Sequence, residues 1–314
     1  MKQTVGVTRI ATLAMTVSCV VVAMSALAEE TDLAVKTNML ARWAASGYAP
    51  AQYAYGISLL NGADCEESNE AGMEWIRKAA DGGDADAQIL LGACYFRGER
   101  VKKDWKLSLP LVSKAAKSGH PEAQFVLGEF YWNGFVVEKS PKEAAALYAK
   151  AAHGGYAPAY SRLGYCHEIG AGVAQDNGKA FELYRQGALK GDAEAQSNYG
   201  RFLSQGIATK TNEVAGAFWA YKAAEQKNPS GMFNLAMCYV LGSGVKQDVA
   251  YGIRLAHLAA ESGCVNAQLY VGLMYEDKDN EKAEFWLKAA AENGNAQAAE
   301  ALKKRSRRHQ RQVK

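Results

Sequence analysis

Apolar residues recur along this chain in a helical rhythm, and the rhythm itself repeats every 36 residues. Ala87, Leu91 and Tyr95 stand four apart, as do Ala123, Leu127 and Tyr131 one interval later, so each set lines one face of a helix. Glycine marks the same frame at Gly56, Gly92, Gly128, Gly164, Gly200 and Gly272, with Ala236 in the one gap. Small residues in mid-helix allow a second helix to approach closely, and the larger ones beside them fill a core. A second glycine follows six positions later, at Gly62, Gly98, Gly134, Gly170, Gly206 and Gly242. A third series runs Gly47, Gly83, Gly119, Gly155, Gly191 and Gly263, with Lys227 as its exception.

The polar positions supply the helix ends. Ser68, Asp104, Ser140, Asp176, Asn212 and Asp248 keep the same interval, and each offers a side-chain oxygen to the free N–H groups of a first turn. Ser140-Pro141-Lys142-Glu143 is the fullest case, with a cap, a proline at the first helical position and a glutamate to close a capping box. Each cap opens the second helix of a pair, which closes on Lys78-Ala79-Ala80 or its equivalents and then reaches a third-series glycine. Lys227 must make that turn without a glycine's freedom, which predicts strain or a different turn there. The first helix of the next pair then starts, as in Asp84-Ala85-Asp86-Ala87-Gln88. The last unit, from Asn266 to Ala291, is shorter, because Asp279 follows Asp248 by 31 residues. The pattern predicts an all-α solenoid of about seven 36-residue helix-turn-helix repeats over residues 47–302. An extra helix within 29–46 is expected to cover the first open face, as the ends of stacked repeats require.

Leu163-Gly164…Gly170-Ala171-Gly172-Val173-Ala174-Gln175-Asp176, its partner Gly242-Ser243-Gly244-Val245-Lys246-Gln247-Asp248, and the Lys-Ala-Ala…Gly…Ala-Gln element resemble the Sel1-like repeat family. That resemblance implies a right-handed α-α superhelix related to tetratricopeptide repeats. It implies a scaffold holding a protein or peptide ligand in a concave groove, without cofactor or small-molecule substrate. Similar bacterial members are often exported and serve envelope regulation, exopolysaccharide control or contact with a host. The family has no general catalytic site. Some cysteine-rich relatives are described as penicillin-binding or weakly β-lactam-hydrolysing, so the alternative is a periplasmic protein of that kind.

One S-x-x-K match runs from Ser243 to Lys246. It falls in an inter-helix loop, whereas the enzyme motif starts a helix, and neither S-D-N nor K-T-G accompanies it. A nucleophile without a base and an oxyanion site does little, so no catalytic residue is assigned. His120, His153, His167, His257 and His309 are scattered through different repeat positions, with no Cys or carboxylate partner at ligand spacing, which argues against a metal site.

Composition changes the picture at the two ends. Lys2 and Arg9, an apolar run from Ile10 to Ala23, and Ala26-Leu27-Ala28 have the layout of a secretory signal over residues 1–28, with cleavage before Glu29. A retained anchor is the other reading, although the run is shorter than a bilayer needs. Periplasmic or secreted location follows from the leader, and no later segment is apolar for long enough to span a membrane. At the other end, residues 303–314 hold seven Lys or Arg and no acid, while residues 29–302 hold 27 basic against 33 acidic. Such a tail either contacts anionic surfaces or is simply solvated and disordered, the latter being expected here because only Val313 is apolar. Cys65, Cys94, Cys166, Cys238 and Cys264 follow the leader, an odd number without metal spacing, and the three in equivalent positions read as small buried hydrophobes.

Partner-binding residues are sought where the repeats disagree, because core and turn positions must recur. In the first helix of each pair the most variable stripe is spaced i, i+4, i+7. It reads Tyr53, Ile57, Leu60; Ile89, Ala93, Phe96; Phe125, Glu129, Trp132; Ser161, Tyr165, Glu168; and Ser197, Arg201, Ser204. Leu60, Phe96 and Trp132 are expected to be exposed aromatic or apolar anchors, with Ile57, Tyr165 and Glu168 beside them in the groove.

Overall fold

The capping chemistry appears as bonds. The side chain of Ser140 accepts from Glu143 N–H, Asp176 from Lys179, Asn212 from Ala215, Asp248 from Tyr251 and Asp279 from Lys282. Asp104 accepts from both Lys106 and Leu107. The computed structural model describes residues 33–61 and 69–312, and among these there are sixteen helices and no strand. The leader at 1–28, Gly62, Cys65, Ser68, Val313 and Lys314 lie outside the described residues.

The helices are α1 (Leu33–Ala45), α2 (Ala49–Leu60), α3 (Asn69–Asp81), α4 (Ala85–Arg97), α5 (Trp105–Lys117), α6 (Pro121–Asn133), α7 (Pro141–His153) and α8 (Ala157–Ile169). They continue with α9 (Asn177–Leu189), α10 (Ala193–Gln205), α11 (Glu213–Glu225), α12 (Pro229–Leu241), α13 (Val249–Glu261), α14 (Val265–Met274), α15 (Asn280–Glu292) and α16 (Ala296–Gln312). They fall into two compact units, 1–115 and 116–314, divided within α5.

The first unit is centred on Met73 and Ile76 of α3 with Leu91 and Cys94 of α4. In the second, Tyr148 of α7 packs with Leu163 and Cys166 of α8, and Tyr184 of α9 packs with Phe202 of α10. Met232, Ala256 and Val271 continue the core toward the last repeat. The Ala-Gln element has a physical reason. Gln52, Gln88, Gln124, Gln196 and Gln268 each donate to the carbonyl eight residues back, at the end of the preceding helix, over 2.9–3.4 Å. These glutamines are buried, and the bond satisfies a terminal carbonyl that the helix itself leaves open.

Lys227 adopts the left-handed conformation at φ 59°, where its counterparts are glycines at 86–91°. The turn is therefore kept at the cost of strain. In the basic stretch, α16 carries helix through Gln312. Lys304 pairs with Glu300 one turn back at 2.8 Å, and Arg305 bonds to Asn280, so contacts beyond apolar burial extend the helix.

Candidate protein-binding face

Within the second unit the first helices of successive pairs touch one another directly, α8 with α10, α10 with α12, and α12 with α14. On the face these helices share, Ser161 and Ser197 of the stripes are buried and Tyr165 is open. Tyr165 of α8 is 41% exposed there, and its ring meets that of Trp132 edge-on at 6.0 Å. Trp132 is only partly exposed, because its other side packs on the cluster around Ala144 and Tyr148. It is thus half core and half surface, a correction to its reading as an exposed anchor.

Charge on this face is built from the core outward. Tyr148 fits against α6 because Gly128 faces it, where a Cβ would lie 2.6 Å from the ring. Its buried hydroxyl needs an acceptor, and Glu129 supplies one at 2.6 Å. Arg162 of the next repeat then pairs with Glu129, its Nε 3.1 Å from one carboxylate oxygen and its Nη2 donating to the other at 3.4 Å. The arrangement recurs one repeat later: Tyr184 donates to Glu168 at 2.7 Å, and Arg201 Nη2 donates to both carboxylate oxygens at 2.8 Å. Between the two networks the glutamate and the arginine have each moved one helical turn, and their separation stays at 33 residues. Burial first, then the adjacent carboxylates, push both tyrosine hydroxyls far above their ordinary range, so they remain donors. Burial also pushes the Cys166 thiol up to about 11.

Glu168 is accordingly occupied by Tyr184 and Arg201, and it shapes the face by holding Arg201. Arg162 is the more open of the two arginines, its side chain 45% exposed against 27%. Beneath this face Asn234 of α12 donates to the buried Ser197 of α10, to Oγ at 3.0 Å and to the carbonyl at 3.2 Å.

The remaining stripe residues belong to the first unit and are placed differently from the sequence reading. Leu60 is 4% exposed, within the cluster of Met73 and Ile76, because it fills the space left by Gly72, where a Cβ would lie 2.7 Å from its side chain. Leu60 is core and offers no anchor. Ile57 packs half-buried on the same cluster, and Phe96 is half-buried rather than exposed. Of the six expected groove residues, Trp132, Tyr165 and Glu168 share one face of the second unit.

The residues missed in sequence are Tyr148, Tyr184 and Arg162. A signal existed: Tyr148 and Tyr184 stand where other repeats have Ile76, Val112, Ala220 and Ala256, and each has a glutamate opposite and an arginine 33 residues beyond that. Ser243 follows the left-handed cap Gly242 in a loop, its N–H donating to the Cys238 carbonyl, with no general base bonded to it. Among the described residues no group of three His, Cys, Asp or Glu is placed to hold a metal ion. Cys94, Cys166, Cys238 and Cys264 are buried free thiols.

The family model described as Sel1 repeat matches residues 49–84, 85–120, 121–156, 157–192, 193–228, 229–264 and 265–295. Two solved structures are similar. One is a protective antigen present in uropathogenic Escherichia coli strains displaying an SLR fold, 27% identical with TM-score 0.59 over 86% of this chain and 66% of the other. The second is a Sel1 repeat protein from Oxalobacter formigenes, 30% identical with TM-score 0.62 over 69% of this chain and 89% of the other. The chain thus spans just under two thirds of the Escherichia coli structure's length.

Proposed function

This chain belongs to the Sel1 repeat family, an α-solenoid class, and from that premise we propose that it is an exported protein-binding scaffold whose ligand lies across the first helices of residues 121–274. The observation that carries the reading is the open Tyr165 ring beside Trp132, flanked by the Arg162–Glu129 and Arg201–Glu168 pairs. A half-exposed aromatic pair bordered by fixed charges is suited to a protein segment that buries one large side chain and aligns its polar groups along the arginines. No reaction is assigned to this face.

Export is supported by the leader layout at residues 1–28, and a role in envelope regulation or host contact is supported by the similarity to a protective antigen. A photo-crosslinking residue at position 165 is expected to capture a partner in the native envelope, and one at the exposed Leu189 is not. In an affinity pull-down with the unlabelled chain, Tyr165→Ala should abolish recovery of that partner at an unaltered melting temperature. Equal capture from both positions sinks the groove. An intact Met1 terminus in the cytosolic fraction overturns the export reading, whereas a mature terminus at Glu29 supports it.

A further inference from the structure

The first helices of the second unit carry a second open apolar patch, two repeats beyond the first. Tyr165 and Ile169 stand one turn apart on α8, and both are exposed. Met237 and Leu241 hold the equivalent positions of α12, the first half-buried and the second 66% exposed. Between these helices lies α10, which touches both and has Arg201 and Gln205 at the same positions of the frame. From α8 to α12 the pattern is therefore apolar, polar, apolar.

The polar centre offers donors. Both carboxylate oxygens of Glu168 already accept from Arg201, and one of them also from Tyr184. Arg201 makes its bonds to Glu168 and Asn198 through Nη2 alone, so Nε and Nη1 still have N–H groups to give. Gln205 is exposed, and its amide can give a bond and take one.

Building on the binding face proposed above, we infer that its ligand is an extended peptide segment with two large apolar residues about six positions apart and polar residues between them. The first apolar residue seats on Tyr165 and Ile169, the second on Met237 and Leu241. Charge complementarity selects the extended form. The carbonyl oxygens of an extended backbone are unpaired and present partial negative charge to Arg201, whereas a helix spends its carbonyls on its own N–H groups. The Gln205 amide likewise matches the N–H and C=O of one extended residue. Spacing agrees with this. Packed helices lie about 8–10 Å apart, which puts α8 and α12 roughly 16–20 Å from each other. A strand advances about 3.3 Å per residue and covers that span in about six, an even step that turns both side chains to the same side.

The test is selection of random peptides of about twelve residues, displayed on phage, against the full chain. Fluorescence anisotropy of the enriched sequences, made as labelled synthetic peptides, then measures affinity. Enriched peptides are expected to carry large apolar residues about six apart. Tyr165→Ala and Leu241→Ala should each weaken their binding about tenfold, and because both side chains are exposed neither change opens the core. Gln205→Ala should weaken it about threefold, and Leu189→Ala, at the end of a second helix, should leave it unchanged. Weakening by Tyr165→Ala but not by Leu241→Ala overturns the second anchor and leaves the face itself standing. Indifference to both substitutions overturns the face as well. A library from which no peptide is enriched overturns the two-anchor segment. A preferred spacing of about eleven, the step a helix needs for the same span, overturns the extended form.

Discussion

Repeats 121–192 and repeats 193–264 share one frame and fill it in opposite ways. In the earlier pair the second helix brings Tyr148 and Tyr184 beneath a facing glycine, and the ring occupies the space. In the later pair the second helix has Ala220 and Ala256 at those positions and adds Gly216 and Gly252, so the helices approach through their backbones. A Cβ on Gly200 would lie 2.9 Å from the Gly216 carbonyl, and one on Gly252 would lie 2.8 Å from the Ala236 carbonyl. The aromatic solution has a polar consequence that the small-residue solution lacks. A buried hydroxyl requires an acceptor, the acceptor is a carboxylate, and the carboxylate binds an arginine of the following repeat. Core choice in these two repeats thus places the charged groups on the face proposed to bind a partner.

The largest effect is expected on breaking the aromatic solution. Glu129→Ala leaves the buried Tyr148 hydroxyl without its acceptor and Arg162 without its counter-charge, a loss of about 3 kcal/mol. Pairing Glu129→Leu with Tyr148→Phe converts the site to the apolar kind found where Ile57 faces Ile76, and most of the loss should be recovered. A denaturant double-mutant cycle measures this, and simple additivity of the two changes would contradict the network.

Next comes the space beneath the ring. Gly164→Ala puts a Cβ 2.7 Å from the Tyr184 ring, an overpacking expected to cost about 1–3 kcal/mol. Adding Tyr184→Ala in the same chain makes room, so the cost of the added methyl should then vanish although the cavity costs more. If Gly164→Ala is neutral in calorimetry, the close approach is not what fixes glycine at this position.

A smaller effect separates the repeats by their glutamines. Gln196 bonds to the Ala188 carbonyl at 3.3 Å, whereas Met232 holds the same position one repeat later. Gln196→Met therefore imitates a substitution the chain already contains, and the loss of one buried bond should cost about 1 kcal/mol. In a domain of this size that lowers the melting temperature by about 2–4 °C.

The repeat frame was legible because its causes are local. A cap such as Asp176 bonds three residues ahead, and a glycine such as Gly170 sets its own turn, so each can be read from neighbours in sequence. The stripe was only half legible because exposure depends on the facing helix. Leu60 is core since Gly72 opposite it makes room, and Trp132 is half core since the cluster of Ala144 and Tyr148 receives it. The Tyr–Glu–Arg networks escaped the reading for a related reason. Their bonded partners lie 16 to 33 residues apart, and Glu129 and Glu168 occupy different turns of the frame, so no single column of the repeat holds them.

The smallest expected effect compares one turn with its own copies. At Gly155, Gly191 and Gly263 the chain leaves the second helix with φ of 86–89°, and at Lys227 it does so at 59° with a side chain attached. The left-handed conformation costs a non-glycine residue about 1–2 kcal/mol. Glycine removes that cost but brings a looser unfolded chain, worth about 0.5–1 kcal/mol in the opposite direction. Lys227→Gly should therefore stabilise the protein by about 0.5 kcal/mol, seen as a small rise in the denaturant midpoint at constant slope. Lys227 is exposed, so loss of its side chain removes little packing to obscure the result. Lys227→Ala separates backbone from side chain: it keeps the strained φ and should show no gain. A rise as large for alanine as for glycine would trace the effect to the lysine's charge, and the turn would then be unstrained.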